Sequence, residues 1–568
     1  MIMLWIGCAV FAAVCALSLL LAGAAERGTQ LSLHQPLHRH SEYIRYMRDK
    51  HDLNGFGFAQ QLTRHKGIGS AIGLTASSLP LIGGAVFLLG PAIAFGGPAV
   101  IGIGWPVLGL FGLLTACSVA AFASAIPTAG GCYHWAVASG GRRAGLWSGW
   151  LHAAGSSVML ATTNIYLADW MSRSIERHVG YTGGASLFYI ILLMLFVSQA
   201  AANVRAFRLL SRLLTWTAAF QFALIVGIFA ILASIAWPGA YPFQIMAYTS
   251  SSWIPVEPAA GGTSMLLGFL LLQRLFLGIG DGAQAGEETS DPRITLPWSI
   301  YLSAAGLAFF GFILFAFIVM HARIGDFGLT AMPALGDWLT DVWERWGDAG
   351  ASLFFVLVAV LVWANGTLTM GAGARTLFAM ARDEVIPFAS KLSAVSVLYR
   401  SPMQALLTIA AGAGAIALLS SAIYSSAMVQ SLLPQLILLS IAALHAAYAI
   451  PIGGRVLLTL KERKDNHPLR PANRKRSKLH GPWNLGKYSL TVDGITVCWL
   501  TGSAVLAVCL LKPAALIIAS VCLIAGTACM ERMLRRLRRK TPVKIVGSIR
   551  FGKRTMDECI RIERKFPQ

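Results

Sequence analysis

The sequence predicts an all-α integral membrane protein with 12 core transmembrane helices and one extra helix at the N-terminus. Three observations predict it. The 568 residues are 56% hydrophobic and only 12% charged, with mean hydropathy +0.64, where soluble chains carry about a quarter charged residues. Apolar runs of roughly 20 residues, long enough to cross a hydrocarbon core, recur along the chain. Lysine and arginine collect in alternate loops between those runs.

The first run, Ile2–Ala25, ends near Ala22-Gly23-Ala24, which resembles a small-residue cleavage site. No Lys or Arg precedes Arg27, so the positive start of a secretory signal is missing, and an uncleaved extra helix with its N-terminus outside is expected over residues 1–25. A basic cytoplasmic segment, 26–67, follows. The core helices, numbered 1 to 12 from here on, are placed at 68–94, 99–124, 144–168, 186–202, 213–236, 264–284, 297–320, 351–373, 402–420, 431–453, 495–511 and 513–530. With residues 26–67 inside, 40 of the 46 Lys and Arg fall in cytoplasmic segments, 5 in external loops, and Arg274 within helix 6. That alternation fixes the register of crossings, because one missed helix would scramble it.

Net charge of +21 raises nucleic acid as a partner. The charge lies instead on one membrane face, in the basic loop 454–494 and the basic tail 531–568 that flank helices 11 and 12 (495–530). Lys461–Lys478 and Arg532–Arg539 are expected to touch anionic lipid headgroups, and no nucleic-acid partner is expected. The nine cysteines show neither CxxC nor zinc-ligand spacing and read as small buried hydrophobes. No catalytic constellation, metal site or cofactor motif is found, so an enzyme is not expected.

Parity then speaks to architecture. Two successive units of five helices, 68–236 and 264–453, must have opposite topology, because five is odd. Inverted repeats of this kind place a solute site at interrupted helices in corresponding positions. Helix 1 carries Pro80, Gly83 and Gly84, and helix 6 carries Gly278, Gly280 and Gly282. Non-helical backbone at membrane depth survives only where it is buried in protein or lines a cavity. Freed amides there can hold a carboxylate, and freed carbonyls an ammonium group. Close helix packing is the plainer reading of the glycines.

Several short motifs bear on the family. Ile82-Gly83-Gly84-Ala85-Val86-Phe87 is similar to a first-helix pattern I-G-S-G-I-F, with Ala85 replacing its second glycine. Gly96-Gly97-Pro98 and Pro127 to Trp135 are similar to G-G-P and P-T-S-G-G-x-Y-x-W. Gly286-Glu287-Glu288-Thr289 with Asp291-Pro292 is similar to A-E-E-T-x-x-P, and Arg375 to Pro387 to S-R-x-x-x-A-x-A-R-D-x-x-x-P. Together with Tyr448 to Ile452 and Gly481 to Gly486, over about Gly67 to Met530, they resemble the amino acid–polyamine–organocation superfamily of permeases, nearest to its amino acid/GABA/choline branch. The resemblance implies a leucine-transporter-like fold with two inverted five-helix repeats and two peripheral helices. It also implies a secondary active transporter of amino acids or related small amines in the cell membrane, commonly coupled to H+ and sometimes to Na+. Choline or a polyamine is the alternative substrate, and a solute sensor signalling through the cytoplasmic tail is the alternative function.

The candidate solute site is Ile82, Gly83, Gly84 and Ala85 with Arg274, Gly278, Ile279, Gly280 and Asp281. It departs from the family's branch, where helix 6 reads G-Y-D; here the residues are Gly278-Ile279-Gly280, with Asp281 one place later. Arg274 either pairs internally with Asp281 seven residues on, or receives an anionic group of the cargo. Glu287 and Glu288 read as a solvated loop pair or as an inner gate completed by Arg375 and Arg382. For coupling, Asp281 and Glu287 are protonatable candidates, and Thr367 and Thr369 offer hydroxyls to sodium; helix 5 has no lysine. His134 and His152 are given no role.

Overall fold

The computed structural model describes residues 2–32, 42–64, 66–180, 184–205, 207–249, 261–322, 334–345, 347–421, 426–465, 479, 481–540 and 556–565. Among them the chain is all helix and turn, apart from one isolated bridge between Lys66 and Thr289. Twelve helices are long and apolar enough to cross a membrane, the N-terminal Ile2–Ser32 included. Core helix 3 is not among them. It is the part of Cys132–Val179 that follows Gly141, whose φ of 79° kinks the chain there. Buried His152, Thr162, Thr163 and Asn164 make it the most polar span, so its helical character comes from packing rather than from apolarity. Counting it gives the expected twelve core spans and the extra one.

Helix 3 is the pillar of the bundle, packed against helix 10 (Ser426–Asp465) and helix 8 (Asp348–Arg382). Helix 2 (Trp105–Ala125) packs on helix 7 (Pro292–His321). Helix 12 (Pro513–Lys540) lies at the periphery, with Ile517, Ile518, Val521 and Ile524 exposed; an apolar belt of this kind faces lipid. The N-terminal helix packs on the bundle: Gly7 meets the carbonyl of Gly102, and Phe11 stacks on Phe312 at 4.2 Å.

Both five-helix units open with a discontinuous helix. Helix 1 runs as Ile68–Ser78, breaks at Leu79-Pro80, and resumes as Leu81–Phe87 and Leu89–Gly96. Helix 6 is α-helical over Gly261–Gln273 and becomes a 3-10 helix over Arg274–Glu288. A 3-10 run this long is uncommon, and one inside a helix marks strain or a hinge. The first segments have 11 and 13 residues, one entered from each side of the membrane by the charge register. Each irregularity thus falls in the first helix of one of the two expected five-helix units.

Candidate functional site

Pro80 has no amide and caps the second segment of helix 1. Its break leaves carbonyls without helical donors. Ala76 O accepts Leu79 N at 3.1 Å and Gln221 Nε2 at 3.2 Å, while Asn365 Nδ2 donates to both Ser77 O and Ser78 O at 3.1 Å. On the other side, Leu81 N bonds Leu79 O and Gly84 N bonds Pro80 O. Ile82, Gly83, Gly84 and Ala85 thus form the first turn after the break, all buried; they are helical rather than unwound. The amides of Ile82 and Gly83 are the remaining donors of that turn.

The helix 6 glycines are points of close approach. A Cβ on Gly278 would lie 2.1 Å from Ser78 O, one on Gly280 would run into the Tyr448 hydroxyl, and one on Gly282 into Thr75. The close-packing reading of these glycines accounts for the contacts: Gly278 lets helix 6 press on the break in helix 1, Gly282 on its first segment, and Gly280 on Tyr448 of helix 10. Ile279 is buried among core side chains.

Two charges are buried here. Arg274, 4% exposed, donates to Thr163 Oγ1 at 2.5 Å and Met159 O at 3.5 Å on helix 3. The internal Arg274–Asp281 pair is not formed. Asp281 faces His152, with Oδ1 3.9 Å from Nε2 and Oδ2 without a partner. A 3-10 helix rises about 2.0 Å per residue, so seven residues separate the two by roughly 14 Å along the axis. Around Asp281, Gln284 Nε2 donates to His152 Nε2 at 2.9 Å, Tyr448 OH lies 3.3 Å from the same nitrogen, and His152 Nδ1 meets Thr376 Oγ1 at 3.1 Å.

A second constellation of buried ion pairs lies at the Glu287–Glu288 end of helix 6. Glu287 accepts Arg382 Nη2 and Nη1 at 2.8 and 3.0 Å and Ala129 N at 2.9 Å. Glu288 accepts Arg375 Nε at 2.6 Å and Lys66 Nζ at 2.5 Å. Both carboxylates are at most 2% exposed, so they are not a solvated loop pair; the segment before helix 1 covers them. Phe58 lies 3.6 Å beneath the Arg382 guanidinium, Gln60 Nε2 donates to Glu287 O, and Arg64 donates to Thr289 O at 2.6 Å. The tail contributes too. Glu563, at the end of Met556–Glu563, accepts Gln60 N at 2.8 Å and pairs with Lys50 at 2.8 Å. Nearby, burial pushes the Asp49 carboxyl up to about 6, against the pull of Arg64 and Arg48.

These contacts join three motifs that lie far apart in sequence. Gly286 presses on the Pro127 backbone, Glu287 links Ala129 to Arg382, and Tyr133 OH donates to Asp383 at 2.9 Å. A sequence profile described as amino acid permease matches residues 67–529. The chain belongs to the amino acid permease family. Among relatives, it is 27% identical over 486 residues to "Amino-acid permease BAT1 homolog" of Oryza sativa subsp. japonica, covering 80% of this chain and 86% of that one. It is 24% identical over 485 residues to "Amino-acid permease BAT1" of Arabidopsis thaliana, covering 80% and 87%. To "Amino-acid permease 2" of Neurospora crassa it is 25% identical over 419 residues, covering 71% of each.

Within this permease, the recognisable motifs meet at the ion pairs of Glu287 and Glu288 more than at the helix 1 break. Asn365, Gln221 and His152 were missed from sequence, since a lone polar residue in an apolar run carries no signal of what it meets. The two candidate threonines part company: Thr367 Oγ1 bonds its own helix at Trp363 O, while Thr369 Oγ1 is buried without a partner. Two residues apart, they face different sides of helix 8. The run Lys461–Lys478 falls largely outside the described residues. Of the tail, Arg532–Arg539 belong to the last turns of helix 12.

Proposed function

We propose that this permease carries amino acids across the membrane by alternating access, with the solute held between the break in helix 1 and the 3-10 segment of helix 6. The observation that carries the reading is the meeting of the two irregularities, Gly278 against Ser78. The Ile82 and Gly83 amides would take the α-carboxylate. The buried ion pairs of Glu287 and Glu288 would close the inner gate in this conformer and part in the other.

Coupling to protons is supported by Asp281, a buried carboxylate with an unpartnered oxygen beside the buried His152. Sodium is the second reading: the buried Thr369 hydroxyl has no partner, and the Thr367 hydroxyl, which donates to Trp363 O, keeps its lone pairs for a cation. The experiment is uptake of radiolabelled amino acids into proteoliposomes under imposed pH or sodium gradients. Asp281→Asn should keep solute exchange and lose accumulation driven by a pH gradient. Accumulation driven by sodium alone, untouched by Asp281→Asn, would overturn proton coupling.

The tail helix seated on the gate segment favours a second reading, a sensor that reports solute through its tail. Solute binding without accumulation, in the same vesicles, would establish the sensor. Net accumulation refutes it.

A further inference from the structure

We infer that the central site takes an amino acid with an anionic side chain, whose second carboxylate is received by Arg274. The inference rests on the transport reading above and adds the class of solute to it.

The argument begins with a contrast among buried arginines. Arg375, Arg382 and Arg455 each hold a carboxylate within 2.8 Å: Glu288, Glu287 and Asp493. Arg274 is as deeply buried and has no ion pair among the described residues. Its partners are one hydroxyl and one carbonyl, and its Nε has none. A guanidinium out of water without a counter-charge is expensive, and its planar fork matches a carboxylate bidentately. The acid that could have neutralised it within helix 6, Asp281, is turned to His152 instead.

Position supplies the second observation. Leu275, the next residue, fills the space over Gly84 in the first turn after the helix 1 break. Gly278, four residues on, touches Ser78 at the break itself, roughly 8 Å along a 3-10 axis, which is about the reach of an arginine side chain. A solute whose α-carboxylate lies on the Ile82 and Gly83 amides would extend its side chain towards the guanidinium. A neutral side chain would leave Arg274 as bare as it is now; an acidic one completes the pair.

The test is competitive uptake of L-glutamate, L-aspartate, L-glutamine and L-leucine by the full-length chain in proteoliposomes, with Arg274→Gln and Arg274→Lys beside it. The wild type should prefer glutamate to glutamine. Arg274→Gln should lower kcat/KM for glutamate by roughly 10- to 100-fold, the weight of a charge-assisted hydrogen-bond pair, and leave glutamine uptake equal or raised. Arg274→Lys should fall between. The glutamate-to-glutamine ratio is read within each preparation, so a poorly folding variant does not mimic the effect, and the wild-type preference stands as a test without any variant. Wild-type preference for neutral solutes, or an equal loss of glutamate and glutamine in Arg274→Gln, overturns the inference while leaving transport intact. Failure to bind or accumulate any amino acid would instead sink the transport reading.

Discussion

Replacing Gly278 with alanine tests the contact on which the central site depends. The new Cβ would lie 2.1 Å from Ser78 O and 2.8 Å from Ser78 C, both main-chain atoms that no rotamer change can move. Restoring an ordinary contact of about 3.4 Å requires the helices to part locally by roughly 1.3 Å. Overpacking of that order costs about 1–3 kcal/mol. The shift also pulls Ser78 O from Asn365 Nδ2, now at 3.1 Å, for about 1 kcal/mol more. The sum, about 2–4 kcal/mol, is a large share of a typical folding free energy. Gly306→Ala is the control, because nothing lies within 4 Å of its Cβ and the helix should gain up to about 1 kcal/mol. Thermal unfolding in detergent and uptake into proteoliposomes are the assays. Gly278→Ala should unfold at a lower temperature and lose most uptake, while Gly306→Ala matches or exceeds the wild type. Wild-type behaviour of Gly278→Ala in both assays would refute direct contact of the two helices.

Three further outcomes follow from the geometry. Asn365→Ala adds no bulk and strips the donor from Ser77 O and Ser78 O; two unsatisfied carbonyls cost about 1–3 kcal/mol each, so uptake should drop with no loss of membrane insertion, and unchanged uptake would show that the break needs no amide. Glu287→Gln leaves Arg382 buried against a neutral partner, at a cost of about 3–5 kcal/mol, and should raise labelling from the inner side of a cysteine placed at Ala129; unchanged labelling would mean that this pair does not hold the gate shut. Asp49 has a raised folded-state pKa of about 6. Its contribution to stability is therefore complete below the unfolded pKa near 4 and is lost as pH rises through about 6, by at most about 3 kcal/mol. Asp49→Asn should flatten the decline in unfolding temperature between pH 4 and 6.5; a slope equal to the wild type's would exclude this carboxyl as its source.

How far the chain could be read in advance differs between fold and site. The crossings were legible because span length and loop charge are one-dimensional quantities: about 20 apolar residues cross a bilayer, and cations stay on one side. Helix 3 shows the limit of that reading. Its polar residues place it below ordinary spans, yet burial against neighbouring helices satisfies them, as where Asn164 and Gln199 of helix 4 exchange amide hydrogen bonds at 2.8 and 2.9 Å. The glycines of helix 6 are points of close approach to Ser78, Tyr448 and Thr75, which only the packing reveals.

What the sequence determined by itself was the all-α membrane character, the number of crossings and the family to which the chain belongs, each carried by composition, by span length or by motifs whose spacing survives without three-dimensional context. Only the tertiary structure decided which charges meet. Glu287 and Glu288 found Arg382, Arg375 and Lys66, while Arg274 and Asp281 stayed apart. The reason is physical: an ion pair inside a membrane depends on a few ångströms between helices distant in sequence, and the low dielectric there makes the difference between a paired and an unpaired charge the largest local energy in the bundle.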